Sequence, residues 1–184
     1  EAIDQGLLSP FHYFGVTDET QLAQLAWSRG DYDTAALSNV LTGNDARVIT
    51  LIRAIDRYVP NHGAMRALGF CVSVEHARFM ARQFTSRGIA SAVITGDTPQ
   101  GERQRLLAEL RRGSTLRCIF SVDVLGEGVD VPDVDTLLLL RPTQSATVFL
   151  QQLGRGLRLS EGKGALTVLD LVAVPHHSFR FDRT

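Results

Sequence analysis

The chain has 184 residues, 44% of them hydrophobic, two cysteines and a formal net charge of -1. That length buries a core without covalent staples, and Cys71 and Cys118 are too few for a disulfide framework, which points to a reducing, cytoplasmic compartment. The near-neutral charge argues against a general polyanion binder, and no run approaches the roughly 18 apolar residues of a membrane span.

Three segments are expected in chain order: a connector over 1–17, a helical insert over 18–62 and an α/β lobe over 63–184. Residues 11–16 are aromatic and β-prone. Asp18 is read as the N-cap of a helix through Leu22, Leu25 and Ala26 that ends at Gly30. A second helix is expected over 32–41, stopping at Gly43. Asn44 caps a third, in which Val48, Leu51, Ile52, Ile55 and Val59 recur at the helical period until Pro60 ends it. Residues 1–60 carry 4 Arg against 8 acids, whereas 61–184 carry 14 Arg and 1 Lys against 12 acids, so the two stretches differ in kind.

Beyond residue 63, apolar runs at 67–72, 90–95, 116–121, 136–140 and 166–172 alternate with amphipathic stretches at 75–87, 99–112 and 146–153. The first stretch stops at Gly88. The second has Thr98 as its expected cap, Pro99 at the first helical position and Gly113 as its stop. Strands that are apolar throughout and separated by helices predict a parallel sheet covered on both faces, with right-handed βαβ crossovers.

Such sheets bind ligands at the carboxyl ends of their strands. The residues there are Ser73-Val-Glu75, Thr95-Gly-Asp-Thr-Pro99, a loop from Val122-Asp123 to Pro132, and Arg141-Pro-Thr143. The short helix at 146–153 then leads into Gln151-Gln-Leu-Gly-Arg-Gly-Leu-Arg158. Arg155 and Arg158 lie three apart and share one face of a helix. A guanidinium makes forked, permanently charged contacts to phosphate. Gly154 and Gly156 allow close backbone approach or a turn. In the 122–132 loop Gly126 and Gly128 permit positive φ, and Asp123 and Asp130 are placed to cap, to accept from a ribose hydroxyl or to bind a metal. Thr95-Gly96 and the helix start after it offer amides and hydroxyls to an anion. Taken singly, an Arg-x-x-Arg pair is usually solvated charge, and a Gly/Asp loop is usually a capped turn.

Taken in this order, the elements resemble the second, C-terminal RecA-like lobe of superfamily 2 DEAD/DEAH-type helicases. Gln151-x-x-Gly154-Arg155-x-x-Arg158 looks like motif VI, Val122-Asp123 through Gly128-Val129-Asp130 like motif V, and Phe70-Cys-Val-Ser-Val74 like motif IV. Thr95-Gly96 with Arg103 resembles the glycine-and-arginine stretch between motifs IV and V. The run from Leu140 to Arg158 is similar to a bacterial restriction-enzyme-like subgroup, and residues 2–14 resemble that subgroup's connector from the first lobe. The resemblance implies an ATP-dependent DNA helicase or translocase. Arg155 and Arg158 would reach the γ-phosphate of ATP, Arg158 as the arginine finger. Gln151 would link the ATP cleft to the nucleic-acid side, and Gly128 and Asp130 would face the nucleotide. Ser73, Thr95, Gly96, Val122 and Asp123 would meet the phosphodiester backbone without reading sequence. DNA stands ahead of RNA because Glu127, rather than Arg, precedes Gly128. Val122 stands where many members have Thr, so a hydroxyl-to-phosphate bond is lost there, and Ser121 replaces it only if the loop rotates.

No Gly-x-x-x-x-Gly-Lys-Ser/Thr loop is present. Lys163, the only lysine, lies in Glu161-Gly-Lys-Gly164, expected as a hairpin-like turn before the last strand. ATP phosphates and Mg²⁺ are therefore expected on a first RecA-like lobe of the same polypeptide. This chain alone is expected to hydrolyse no ATP. The opening Glu in place of Met agrees with a piece of something longer. His176-His177 lacks partners at ligand spacing, so no metal site is expected. Two other readings compete. A non-enzymatic RecA-like interaction module with a decayed ATP site is opposed by the retained Arg155 and Arg158. A free-standing Rossmann domain needs Gly-x-Gly-x-x-Gly where Ser73-Val-Glu-His76 stands.

Overall fold

The computed structural model describes residues 9–25, 27, 28, 31–124, 134–142, 151, 152, 154, 156, 157 and 163–174. Its strands are β1 (Phe11–Gln21), β2 (Trp27–Ser28), β3 (Asp31–Tyr32), β4 (Ala67–Phe70), β5 (Ser91–Ile94), β6 (Cys118–Ser121), β7 (Thr136–Leu139) and β8 (Leu166–Val174). Its helices are α1 (Thr34–Leu41), α2 (Asp45–Tyr58), α3 (Val74–Ser86) and α4 (Gln100–Arg112).

All five apolar runs become strands of one sheet, joined by a sixth, β1. The order is β1-β8-β7-β4-β6-β5, and every neighbouring pair is parallel. Because side chains alternate along a strand, the runs feed two cores. On one face Ala67, Cys118, Phe120, Leu138, Leu169 and Leu171 pack with α2 and α3 through Val48, Leu51, Ile55, Met80 and Phe84. On the other face Leu68, Phe70, Ile119, Leu137, Leu166 and Val168 pack with α4 through Leu106 and Leu110. Over β4, β6, β7 and most of β8 both faces are thus removed from water, while β1 is largely exposed, and each buried Leu, Val or Phe contributes about 1.5–3 kcal/mol. Gly69 makes one contact possible: a Cβ there would lie 2.4 Å from Phe120 Cδ1. With that space open, the Phe120 ring meets Phe84 edge-on, centroids 5.0 Å apart.

The helix stops fall where the glycines predict. Gly113 ends α4 in the left-handed region at φ 61°, and its N–H closes onto the carbonyls of Glu109 and Leu110. Asn44 caps α2 by accepting from the Arg47 N–H. From the segment expected as a helical insert, α2 places its apolar stripe in the same core as α3.

Three local expectations are corrected. The helix expected from Asp18 to Gly30 does not form over the described residues: β1 runs on to Gln21, and the short antiparallel pair of β2 and β3 follows. The strand continues because Asp18 and Thr20 point inward, 7% and 8% exposed, and a charged partner receives Asp18. Thr98 does not cap α4. Its Oγ1 accepts from the Thr95 N–H at 2.9 Å, and Pro99 takes the cap position. The turn before β8 joins no hairpin, since β8 is parallel to both of its neighbours. Among the described residues, no helix is long and apolar enough to cross a membrane.

Candidate functional site

A fully parallel sheet gathers the carboxyl ends of its strands on one edge. The backbone-contact residues expected from the sequence come together there: Ser73 beyond β4, Thr95 and Gly96 beyond β5, Val122 and Asp123 beyond β6. Arg141 follows β7 on the same edge.

Ser73 caps α3, accepting from the His76 N–H at 3.0 Å. Its Oγ also lies 2.6 Å from Ser38 Oγ on α1, so α1 braces this corner. Thr95 closes a turn with Thr98 through both backbone and side chain. Arg103 donates from Nη2 to the Thr95 carbonyl at 3.3 Å, so this arginine of α4 steadies the turn from within. Gly96 is exposed, and a Cβ there would come no nearer than 3.9 Å to Val124. Val122 is half-buried against the core. Ser121 is 1% exposed and its hydroxyl has no protein partner, so it is not presented at the edge in place of the missing threonine. Asp123 holds φ 51°, and Arg141 donates from Nη1 to its Oδ1 at 2.5 Å.

Of the expected nucleotide-side residues, Gln151 is described. It is exposed and has helical backbone. Gly128, Asp130, Arg155 and Arg158 lie outside the described residues. The end of the Gln151 segment is tied down all the same. A Cβ on Gly156 would lie 2.4 Å from Leu166 Cδ1, so the glycine lets the segment press onto β8. Leu157 packs into the α4-side core, its carbonyl accepts from the Ser9 N–H at 2.7 Å, and Lys163 donates to the Gly156 carbonyl.

One group at this edge escaped the sequence. Arg47 on α2 pairs with Asp18 on β1, their side chains 2% and 3% exposed. Its Nη2 also donates to the carbonyls of Leu140, at 3.4 Å, and Leu171, at 3.1 Å. Burial pulls the pKa of Arg47 below its ordinary value, against the pull of Asp18 and Asp170. A guanidinium nevertheless stays protonated. Burial first, and then the Arg47 charge, push His76 down to about 3, so it is neutral. Asp170 is raised by burial, partly offset by the Tyr13 hydroxyl that donates to it at 2.5 Å and by Arg47. A signal for Arg47 existed: an arginine among the apolar positions of an amphipathic helix. Nothing local named its partner. Cys71 and Cys118 are buried free thiols raised by burial, as core positions imply. Among the described residues no cluster of His, Cys, Asp or Glu is placed to hold a metal ion.

The helicase conserved C-terminal domain family matches residues 48–160. "Putative ATP-dependent helicase IRC3" of Saccharomyces cerevisiae is 27% identical over 172 residues, 94% of this chain and 25% of that protein. A fragment of a "putative HsdR subunit of a type I restriction enzyme" from Vibrio vulnificus YJ016 superposes with a TM-score of 0.69 at 23% identity, covering 92% of this chain and 33% of the other. The ATP-dependent type ISP restriction-modification enzyme LlaBIII bound to DNA gives 0.66 at 19% identity, covering 95% and 13%. DEAD-box proteins and RNA helicases are among further matches. At these identities the superpositions show the fold: a RecA-like helicase C-terminal lobe. The chain spans 35% or less of the curated relatives it matches first.

Proposed function

The chain belongs to the helicase conserved C-terminal domain family, and from that premise we propose that it is the second motor lobe of an ATP-dependent DNA helicase or translocase. The observation that carries the reading is the family match over 48–160, joined to the gathering of the motif segments on one edge of the sheet. A first lobe of the same polypeptide holds the ATP phosphates and Mg²⁺. Residues 1–17 lead in from it, 18–62 supply α1, which braces the carboxyl edge, and α2, which packs into the core, and 63–184 form the rest of the lobe with β1 as an added strand of its sheet. Arg155 and Arg158 complete the ATP site from this side, with Gly128 and Asp130 toward the nucleotide and Gln151 between the ATP and nucleic-acid sides. Ser73, Thr95, Gly96 and the turn at Val122 follow the phosphodiester backbone. Such contacts carry no sequence information, which suits a motor that steps over any sequence. DNA is favoured over RNA by Glu127 before Gly128.

The test is ATP turnover by the full-length polypeptide with oligothymidylate, oligouridylate or neither. DNA-stimulated turnover is expected, and Arg158→Ala should lower it by about 10³-fold while nucleotide binding survives. The 184-residue chain alone should turn over no ATP. Absence of stimulation by either polymer in the full-length protein would replace the motor by an interaction module.

A further inference from the structure

Arg141 and Asp123 make an ion pair that the scheme above leaves unused. Arg141 follows β7, Asp123 follows β6, and β4 lies between them in the sheet. Two strand spacings are about 10 Å, so the arginine reaches across the carboxyl end of β4, next to where the chain turns into α3. The side chain of Asp123 is 71% exposed and that of Arg141 23%. Asp123 also has positive φ, 51°, a conformation that Asp and Asn adopt more readily than other non-glycine residues.

Several other polar groups at this edge, among the described residues, are already committed. Ser73 Oγ serves the α3 cap and Ser38. The Thr95 N–H is held by Thr98. The Arg47 and Arg103 guanidiniums donate to carbonyls of the protein itself. A cation held by one exposed carboxylate is different, because such a pair changes an equilibrium by no more than about fivefold. A phosphate that engages both prongs of the guanidinium makes the stronger contact.

We propose that Arg141 is the cation that takes the phosphodiester backbone at this edge, and that Asp123 holds it across β4 until a phosphate displaces the carboxylate. Asp123 then acts on nucleic acid through Arg141, not by touching it. The assignment rests on the motor reading and names a residue which that reading left without a role.

The test measures binding of a labelled oligothymidylate of about 20 nucleotides, and of the matching oligouridylate, to the full-length polypeptide without nucleotide. Titrations run from roughly 50 to 200 mM salt. Arg141→Gln should weaken binding about tenfold and lower the salt slope by about 0.7, one phosphate's share. Asp123→Asn, which keeps the left-handed backbone accessible, should tighten binding by up to about fivefold. The double variant should bind like Arg141→Gln, since the carboxylate then has nothing to restrain. Damage to the fold would weaken both single variants, so the opposite signs are the signature. Weakening by Asp123→Asn, or an unchanged salt slope in Arg141→Gln, overturns the assignment while the motor reading stands. Wild-type protein that binds neither polymer removes both.

Discussion

Arg47–Asp18 and Arg141–Asp123 stand at the same edge of one sheet, yet the first pair is 2% and 3% exposed and the second 23% and 71%. The sealed pair is cross-braced. Arg47 also donates to the carbonyls of Leu171 on β8 and of Leu140 just beyond β7, and Asp18 accepts from the Thr20 N–H at 2.7 Å. The open pair has a single bond between its partners. Both act on the end of β7, because Leu140, whose carbonyl Arg47 holds, is followed by Arg141. The same two residue types therefore serve opposite ends. A charge out of water fixes a backbone, and a charge within reach of water can change partners.

The largest effect should come from the sealed pair. Arg47→Met strands Asp18 as a lone buried carboxylate, a defect that costs about 3–5 kcal/mol. Urea unfolding of the chain measures it. Adding Asp18→Asn should recover part of the loss, because the uncompensated charge is gone. A loss under about 1 kcal/mol would mean that water reaches the pair, and the contrast between the two pairs would collapse.

Acid should come next. His76 is fully buried, and its pKa falls from 6.5 to about 3 through burial and the Arg47 charge. Between those values the unfolded chain binds a proton that the folded chain refuses. The stability is thus complete above the unfolded pKa and is lost as pH falls toward 3. From pH 8 to 5 the loss is about 2 kcal/mol. Asp170, raised by burial, works the other way: the folded chain takes up its proton first, adding stability as pH falls through the folded value. His76→Gln removes the first contribution and leaves the second, so its stability should be flat or rise slightly on acidification. Urea midpoints at pH 8 and pH 5 decide this, and an unchanged acid loss in the variant would place the sensitivity elsewhere.

These residues also mark where the sequence was legible. The strands β4 to β8 and the helices α2 to α4 were readable because the middle of the sheet is covered on both faces and the helices meet strong stops, such as Gly113. The extension of β1 was not. Asp18 before Leu22 and Leu25 has the local look of a helix cap. It lies in a strand because its partner is Arg47, 29 residues away. The candidate site was legible as positions just beyond strand ends. The pairing within it was hidden, because Asp123 meets Arg141 only once β6, β4 and β7 lie side by side.

The smallest effect on stability should belong to the open pair, and it sharpens the comparison most. Arg141→Gln and Asp123→Asn should each shift unfolding by less than about 1 kcal/mol, as exposed pairs do, while moving nucleic-acid affinity in opposite directions. Urea midpoints measured beside the binding titrations separate the two properties. If Arg141→Gln unfolds the chain as severely as Arg47→Met, the open pair is a second brace, and its exposure has no functional meaning. If stability holds while affinity moves, the carboxyl edge carries one arginine that builds the lobe and one that the lobe lends to its ligand.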